Sequence, residues 1–174
     1  TLAQRGHEVH LFEANATIGG QFNIAKEIPG KEEFIETLRY YKKQIELHKV
    51  QIHLNSIFKQ EQATDFDEVV VSTGVSGRTL TIEGINDPKV LTYTDVVLHK
   101  KPVGKKVAII GAGGIGFDTA EYLSHEGDSA SLNPEKFYNE WGIDTGYENV
   151  GGLKSAELEK SNREIYLLQR KASS

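Results

Sequence analysis

The run Lys105-Lys-Val-Ala-Ile-Ile-Gly-Ala-Gly-Gly-Ile-Gly-Phe-Asp-Thr-Ala120 sets three glycines at the spacing Gly111-x-Gly113-x-x-Gly116. An apolar strand at 107–110 leads into them and a helical pattern at 113–124 leads out. That context suits the pyrophosphate of a dinucleotide. The first glycine permits a tight turn, the second lets the backbone approach the phosphates, and the third lets helix pack closely on strand. The unpaired N–H groups of the helix N-terminus then face the anion. Gly111, Gly113, Gly114, Ile115 and Gly116 are therefore the expected cofactor contacts. A glycine triplet alone also describes an ordinary turn; the flanking strand and helix select the nucleotide reading.

Dinucleotide sites discriminate between their two nicotinamide cofactors at the end of the second strand, where an acid suits a free ribose hydroxyl and Arg or Lys suits a 2′-phosphate. The next clear strand, 164–168, ends Gln169-Arg170-Lys171 with no carboxylate after it. Arg170 can offer a forked pair of donors and Lys171 a compact charge, which favours NADP; the alternative is a solvated basic pair. Near the N-terminus, Thr1-Leu-Ala-Gln-Arg-Gly-His-Glu-Val-His-Leu-Phe-Glu13 reads as a helix tail, a glycine cap at Gly6 and a strand ending in an acid. Glu13 stands where a ribose-binding carboxylate belongs in a second nucleotide unit whose glycine turn precedes Thr1. Taken alone it is a solvated strand-end acid.

No catalytic constellation accompanies these features. The six histidines lack metal-ligand spacing, no serine occupies a nucleophile elbow, and His7 and His53 read as surface or packing residues. Asp118, just inside the helix, reads as a partner of the helix dipole. Redox chemistry, if present, resides in cofactors that the protein positions.

The positioning elements follow from periodicity. Residues 32–48 form an amphipathic pattern through Phe34, Leu38, Tyr41 and Ile45, with its aromatics in the core. Strands are expected at 50–58 and 68–72, the latter followed by Thr73-Gly74. Residues 76–104 read as a connection, and a boundary near Lys100 divides the chain into 1–99 and 100–174. The polar stretch 125–163 is too long for an ordinary loop; order is expected around Phe137, Tyr138 and Trp141, since buried aromatics gain most.

Composition narrows the class. The 174 residues are 38% hydrophobic with a net charge of −5 and mean hydropathy −0.42. That argues against a general nucleic-acid binder, and no apolar run approaches membrane-spanning length. The absence of cysteine excludes a disulfide, a thiolate nucleophile or a cysteine-ligated cluster within this stretch. The absence of methionine suggests that Thr1 lies inside a longer protein.

Several blocks together resemble the bacterial NADPH-dependent 2,4-dienoyl-CoA reductases: Gly6 to Glu13, the block Ile18-Gly-Gly-Gln-Phe-Asn-Ile-Ala-Lys-Glu-Ile-Pro-Gly-Lys-Glu-Glu-Phe34, Ser72-Thr-Gly74, the Gly111 turn, and Leu167-Leu-Gln-Arg-Lys-Ala-Ser173. The resemblance covers essentially the whole chain, including Asn139-Glu-Trp-Gly-Ile-Asp144. It implies an α/β fold of Rossmann-like dinucleotide-binding domains of the disulfide-reductase flavoprotein type, incomplete at both ends. Residues 1–99 would be a partial FAD domain and 100–174 a partial NADPH domain. By resemblance, Glu13 would hold the FAD ribose; Gly20, Gln21, Lys31, Phe58, Thr73 and Gly74 would complete the FAD contacts; Arg170 and Lys171 would meet the NADPH 2′-phosphate. The parent would be a cytoplasmic enzyme of fatty-acid β-oxidation, passing electrons from NADPH through FAD to an FMN barrel beside an iron–sulfur cluster. FMN, cluster and substrate-reducing residues would belong to the remainder of the polypeptide. Three departures stand out: the first FAD glycine turn, the later NADPH-domain strands and the final FAD segment are absent. The 174 residues alone are accordingly expected to lack reductase activity. A redox-inert nucleotide-binding module, as in related amine dehydrogenases, and a stretch with empty sites and structural contacts only are the competing readings.

Overall fold

The alternation of Lys106-Val-Ala-Ile-Ile110 places Val107 and Ile109 on one side of an extended chain and Lys106, Ala108 and Ile110 on the other, as a strand covered on one face requires. The computed structural model, which describes residues 1–78 and 80–170, shows this strand as β3 (Lys106–Ile110), with Val107 and Ile109 half-buried. It pairs in parallel with β4 (Glu164–Leu168), Lys106 opposite Glu164 and Ile110 opposite Leu168. Parallel neighbours need a crossover, and helix α4 (Gly114–Ser124) begins it directly after the glycine turn. This is the α/β, Rossmann-like arrangement expected.

By internal contacts the chain divides into two compact units, Thr1–Phe22 with Phe34–Ile85 and Asn23–Glu33 with Asn86–Ser174. Segments 23–33 and 86–99, on the N-terminal side of Lys100, thus belong to the unit that holds the glycine turn. The reason is apolar. Ile28, Val96, Val97 and Leu123 form the buried core of the second unit, with Val107, Ile109 and Ile165 against it. Helix α3 (Tyr93–Val97) delivers Val96 and Val97 to that core. Its start is fixed by a reciprocal cap: the Asp95 N–H donates to Thr92 Oγ1 at 3.1 Å, and the Thr92 N–H donates to Asp95 Oδ2 at 3.0 Å.

In the first unit, β1 (His10–Phe12) and β2 (Gln51–His53) pair in parallel. The expected helix tail is a single 3₁₀ turn, Ala3–Arg5, closed by Gly6 at φ 92° with its N–H on Ala3 O. The helical turn α1 (Phe22–Ala25) begins at Phe22 of this unit and continues into the segment 23–33 assigned to the second, and helix α2 (Phe34–Leu47), again in the first unit, matches the expected amphipathic segment. Of its expected inward residues Leu38 is buried and Phe34 and Ile45 are half-buried, whereas Tyr41 is exposed. A sheet of two three-residue strands offers too little apolar surface to cover a whole helical stripe. The expected strand 50–58 is cut to Gln51–His53; Asn55 at φ 52° leaves the extended region soon after.

The strand expected at 68–72 does not form. A strand is stabilised by a ladder, and the described sheet of this unit is β1–β2 only. Val70 and Val71 stand 74% and 78% exposed. The stretch 125–163 is ordered for a different reason than aromatic burial. Phe137 and Tyr138 are exposed, and Trp141 is 69% exposed. Order comes instead from capping: Asn133 Oδ1 accepts the Lys136 N–H at the start of helix α5 (Pro134–Glu140). Beyond it, the Asp144 carboxylate accepts the N–H groups of Gly146 at 2.9 Å and Asn149 at 2.8 Å. An isolated bridge joins Ile143 to Leu153. Among the described residues no helix is long and apolar enough to cross a membrane.

Candidate functional site

The glycine turn is built by a demand for close approach. Gly111 follows β3 at φ 121°, a conformation that L side chains rarely adopt. Its N–H donates to Leu168 O at 2.8 Å, so the turn starts where β4 ends. A Cβ on Gly116 would lie 1.9 Å from Gly111 O. Glycine at 116 is therefore what lets α4 rest on the turn. Gly113 and Gly114 show the opposite environment, because a Cβ on either would meet nothing within 4 Å.

Gly113 is the N-cap of α4, at φ −95° and ψ −175°, and no side chain caps the helix. The start of α4 therefore has no side-chain cap and has open space around residues 113 and 114. Such a cradle fits an anion that must approach the main chain, as a dinucleotide pyrophosphate does. Ile115 flanks it and is exposed. The register of β3 and β4 brings Gln169 and Arg170 to the same end of the sheet as Gly111. Arg170 is exposed, with no hydrogen bond or ion pair among the described residues. Lys171 lies outside them.

Lys31 belongs to this same unit. Its Nζ is 2.6 Å from Asp118 Oδ1 on α4. The turn that presents it is fixed from several sides: Ile28 is buried, the Lys31 N–H donates to Ile28 O at 2.9 Å, and Gly30 N–H donates to Ser129 Oγ and to Glu32 Oε1, both at 3.2 Å. Burial disfavours the Glu32 charge, but the Ser131 hydroxyl and nearby N–H groups outweigh it and hold the carboxyl below its usual range.

The other expected residues lie in the first unit. Glu13 closes β1, and its Oε1 accepts the Asn15 N–H at 2.8 Å and Asn15 Nδ2 at 2.7 Å. Its own carbonyl accepts the Ser56 N–H at 2.9 Å. Phe58 is half-buried with its ring edge-on to Phe12 at 5.0 Å, which places its backbone near the β1 end. Gly20 sits at φ 48°. Gln21 Nε2 reaches Val75 O at 3.5 Å, bringing the turn at Gly19 and Gly20 beside Thr73 and Gly74. The structure thus forms two neighbourhoods in this unit, Glu13 with Phe58 and Gln21 with the segment after Thr73.

Two arrangements escaped the sequence reading. His53 stacks on Phe12 at 4.5 Å and on His10 at 5.2 Å, within an aromatic cluster that Phe58 and Phe66 complete. Aromatic and imidazole residues at matching positions of β1 and β2 were the available signal. The other is the Lys31–Asp118 pair, 87 residues apart, for which the sequence carries none. The second unit also holds a cavity of about 480 Å³ lined by Glu27, Lys100, Tyr122 and Arg163 among others. None of its lining residues belongs to the glycine turn, and Lys100 is occupied by Glu27 at 2.7 Å. Among the described residues no group of three or more His, Cys, Asp or Glu could hold a metal ion.

The sequence pattern of the pyridine nucleotide-disulphide oxidoreductases matches residues 1–135. Among curated proteins, a cinnamate reductase of Clostridium sporogenes is 39% identical over 137 residues, covering 75% of the chain and 20% of the relative. A bilirubin reductase of Mediterraneibacter gnavus is 35% identical over 130 residues, covering 74% and 20%. The chain therefore spans about a fifth of the length of these relatives. Among solved structures, a complex of 2-naphthoyl-CoA reductase with 2-naphthoyl-CoA superposes with a TM-score of 0.66 at 24% identity, covering 95% of the chain and 30% of that protein, a likeness of fold.

Proposed function

The chain belongs to the pyridine nucleotide-disulphide oxidoreductase family, and from that premise we propose that it is the FAD- and NADPH-binding part of a flavoprotein reductase. The observation that carries this reading is the glycine turn. Gly116 is pressed against Gly111 O, while Gly113 and Gly114 leave the N-terminus of α4 open. In this reading Gly111, Gly113, Gly114, Ile115 and Gly116 hold the NADPH pyrophosphate, and Arg170 with Lys171 hold the 2′-phosphate. Glu13 accepts from the FAD ribose after releasing Asn15, and Gly20, Gln21, Phe58, Thr73 and Gly74 offer further FAD contacts. Lys31, which the resemblance places on FAD, is engaged by Asp118 and is left out of that set.

NADPH, when bound, supplies a hydride to FAD, and the protein's part is to orient the two. The acceptor belongs to the remainder of the polypeptide. The compounds named for the relatives, cinnamate, bilirubin and 2-naphthoyl-CoA, share conjugated unsaturation. A conjugated acyl-CoA such as a 2,4-dienoyl-CoA of fatty-acid β-oxidation fits that chemistry. Titration of the 174-residue chain with NADPH and NADH tests the reading: tighter NADPH binding is expected, and equal or absent binding overturns it. In the longer protein, a flavin left oxidised by bound NADPH would mark a redox-inert nucleotide module instead.

A further inference from the structure

We infer that Lys31 is a charge-cancelling residue of the dinucleotide turn, holding Asp118 neutralised so that α4 can accept a pyrophosphate. The inference rests on the reading of the glycine turn given above. Asp118 is four residues after Gly114 and so lies on the same face of α4, one turn in. At a rise of about 1.5 Å per residue, residue 118 lies roughly 6 Å along the axis from Gly114, close enough for its charge to act on an anion there. A bare carboxylate there opposes an anionic ligand.

Lys31 Nζ, at 2.6 Å, removes that opposition. The lysine is not a chance surface partner. The buried Ile28, the Lys31 N–H on Ile28 O, and the Gly30 bonds to Ser129 and Glu32 all fix the turn that delivers it. The two side chains are 40% and 34% exposed, so solvent screens the pair and its contribution to folding is small. Its effect falls on the ligand, where a second charge is felt.

The test is an NMR titration of the 174-residue chain with NADPH at low and high salt, with melting temperatures measured alongside. The variants are Lys31→Met, Lys31→Arg, Asp118→Asn and the Lys31→Met/Asp118→Asn double. At low salt, Lys31→Met is expected to weaken binding about threefold to tenfold, from one charge acting over this distance at a surface. Asp118→Asn should tighten binding, and Lys31→Arg should restore it. The double variant should return to within about twofold of the parent, and all differences should shrink at high salt. A Lys31→Met variant that binds as the parent does overturns the inference, as does a double variant as weak as Lys31→Met or a weakening that salt leaves unchanged. If the parent chain shows no NADPH binding, the glycine-turn reading fails and the inference fails with it.

Discussion

Gly113→Val separates the ligand's space from the protein's own. At φ −95° and ψ −175° residue 113 lies in extended backbone that valine adopts readily, and its Cβ would meet no atom within 4 Å. Replacing glycine at an N-cap with a β-branched residue costs about 1 kcal/mol. Restricting the unfolded chain returns about 0.4–1 kcal/mol, so the melting temperature should move by only a few degrees. Binding should collapse, because the isopropyl group occupies the approach to the first N–H groups of α4. Loss of two hydrogen bonds to a charged phosphate, at roughly 1.5–3 kcal/mol each, weakens NADPH by at least about a hundredfold. Gly116→Ala is the contrasting variant. Its Cβ would lie 1.9 Å from Gly111 O, a backbone atom that cannot swing aside, so overpacking of about 1–3 kcal/mol or more should appear as lost stability. Thermal melts and NADPH titrations of both variants decide the matter. Gly113→Val binding NADPH within tenfold of the parent would refute the cradle, and Gly116→Ala melting with the parent would refute the close packing.

Arg170→Ala should weaken NADPH about ten- to a hundredfold and leave NADH nearly unchanged, since only NADPH carries the extra phosphate; parallel titrations showing equal losses would remove Arg170 from that role. Asp144 is held below the ordinary aspartate value of 3.8 by the Asn149 N–H first and the Asn149 side chain next. A depressed carboxyl stabilises above its unfolded value and ceases to do so as pH falls through its folded one. Protection of the Gly146 and Asn149 amides, relative to their intrinsic exchange at each pH, should therefore fall on acidification below 3.8, and Asp144→Ala should show low protection at every pH. Thr92→Ala removes the cap of α3 and should cost about 0.5–2 kcal/mol in denaturant unfolding; an unchanged midpoint would mean that α3 lies outside the cooperative unit.

Local pattern made much of this protein legible. The alternation of β3 and β4, the glycine spacing at 111–116, the cap at Gly6 and the amphipathic repeat of α2 are each decided within a few residues, so the corresponding elements stand where the sequence places them. Family likeness could be read from the same stretches, because close approach at Gly116 and open backbone at Gly113 are demands on residue type at one position. Burial and partnership are different. Val69-Val-Val71 has the composition of a strand, but a ladder needs a neighbour that periodicity cannot supply. Phe137 and Trp141 have the surface to fill a core, yet the caps and the Asp144 turn order their segment while leaving them to solvent. Glu13 on Asn15 and Lys31 on Asp118 are choices among many possible charge partners. Sequence alone determined where the glycine turn and its uncapped helix start lie. Only the tertiary structure decided which charges surround it, since an ion pair spanning 87 residues depends on where two distant turns come to rest.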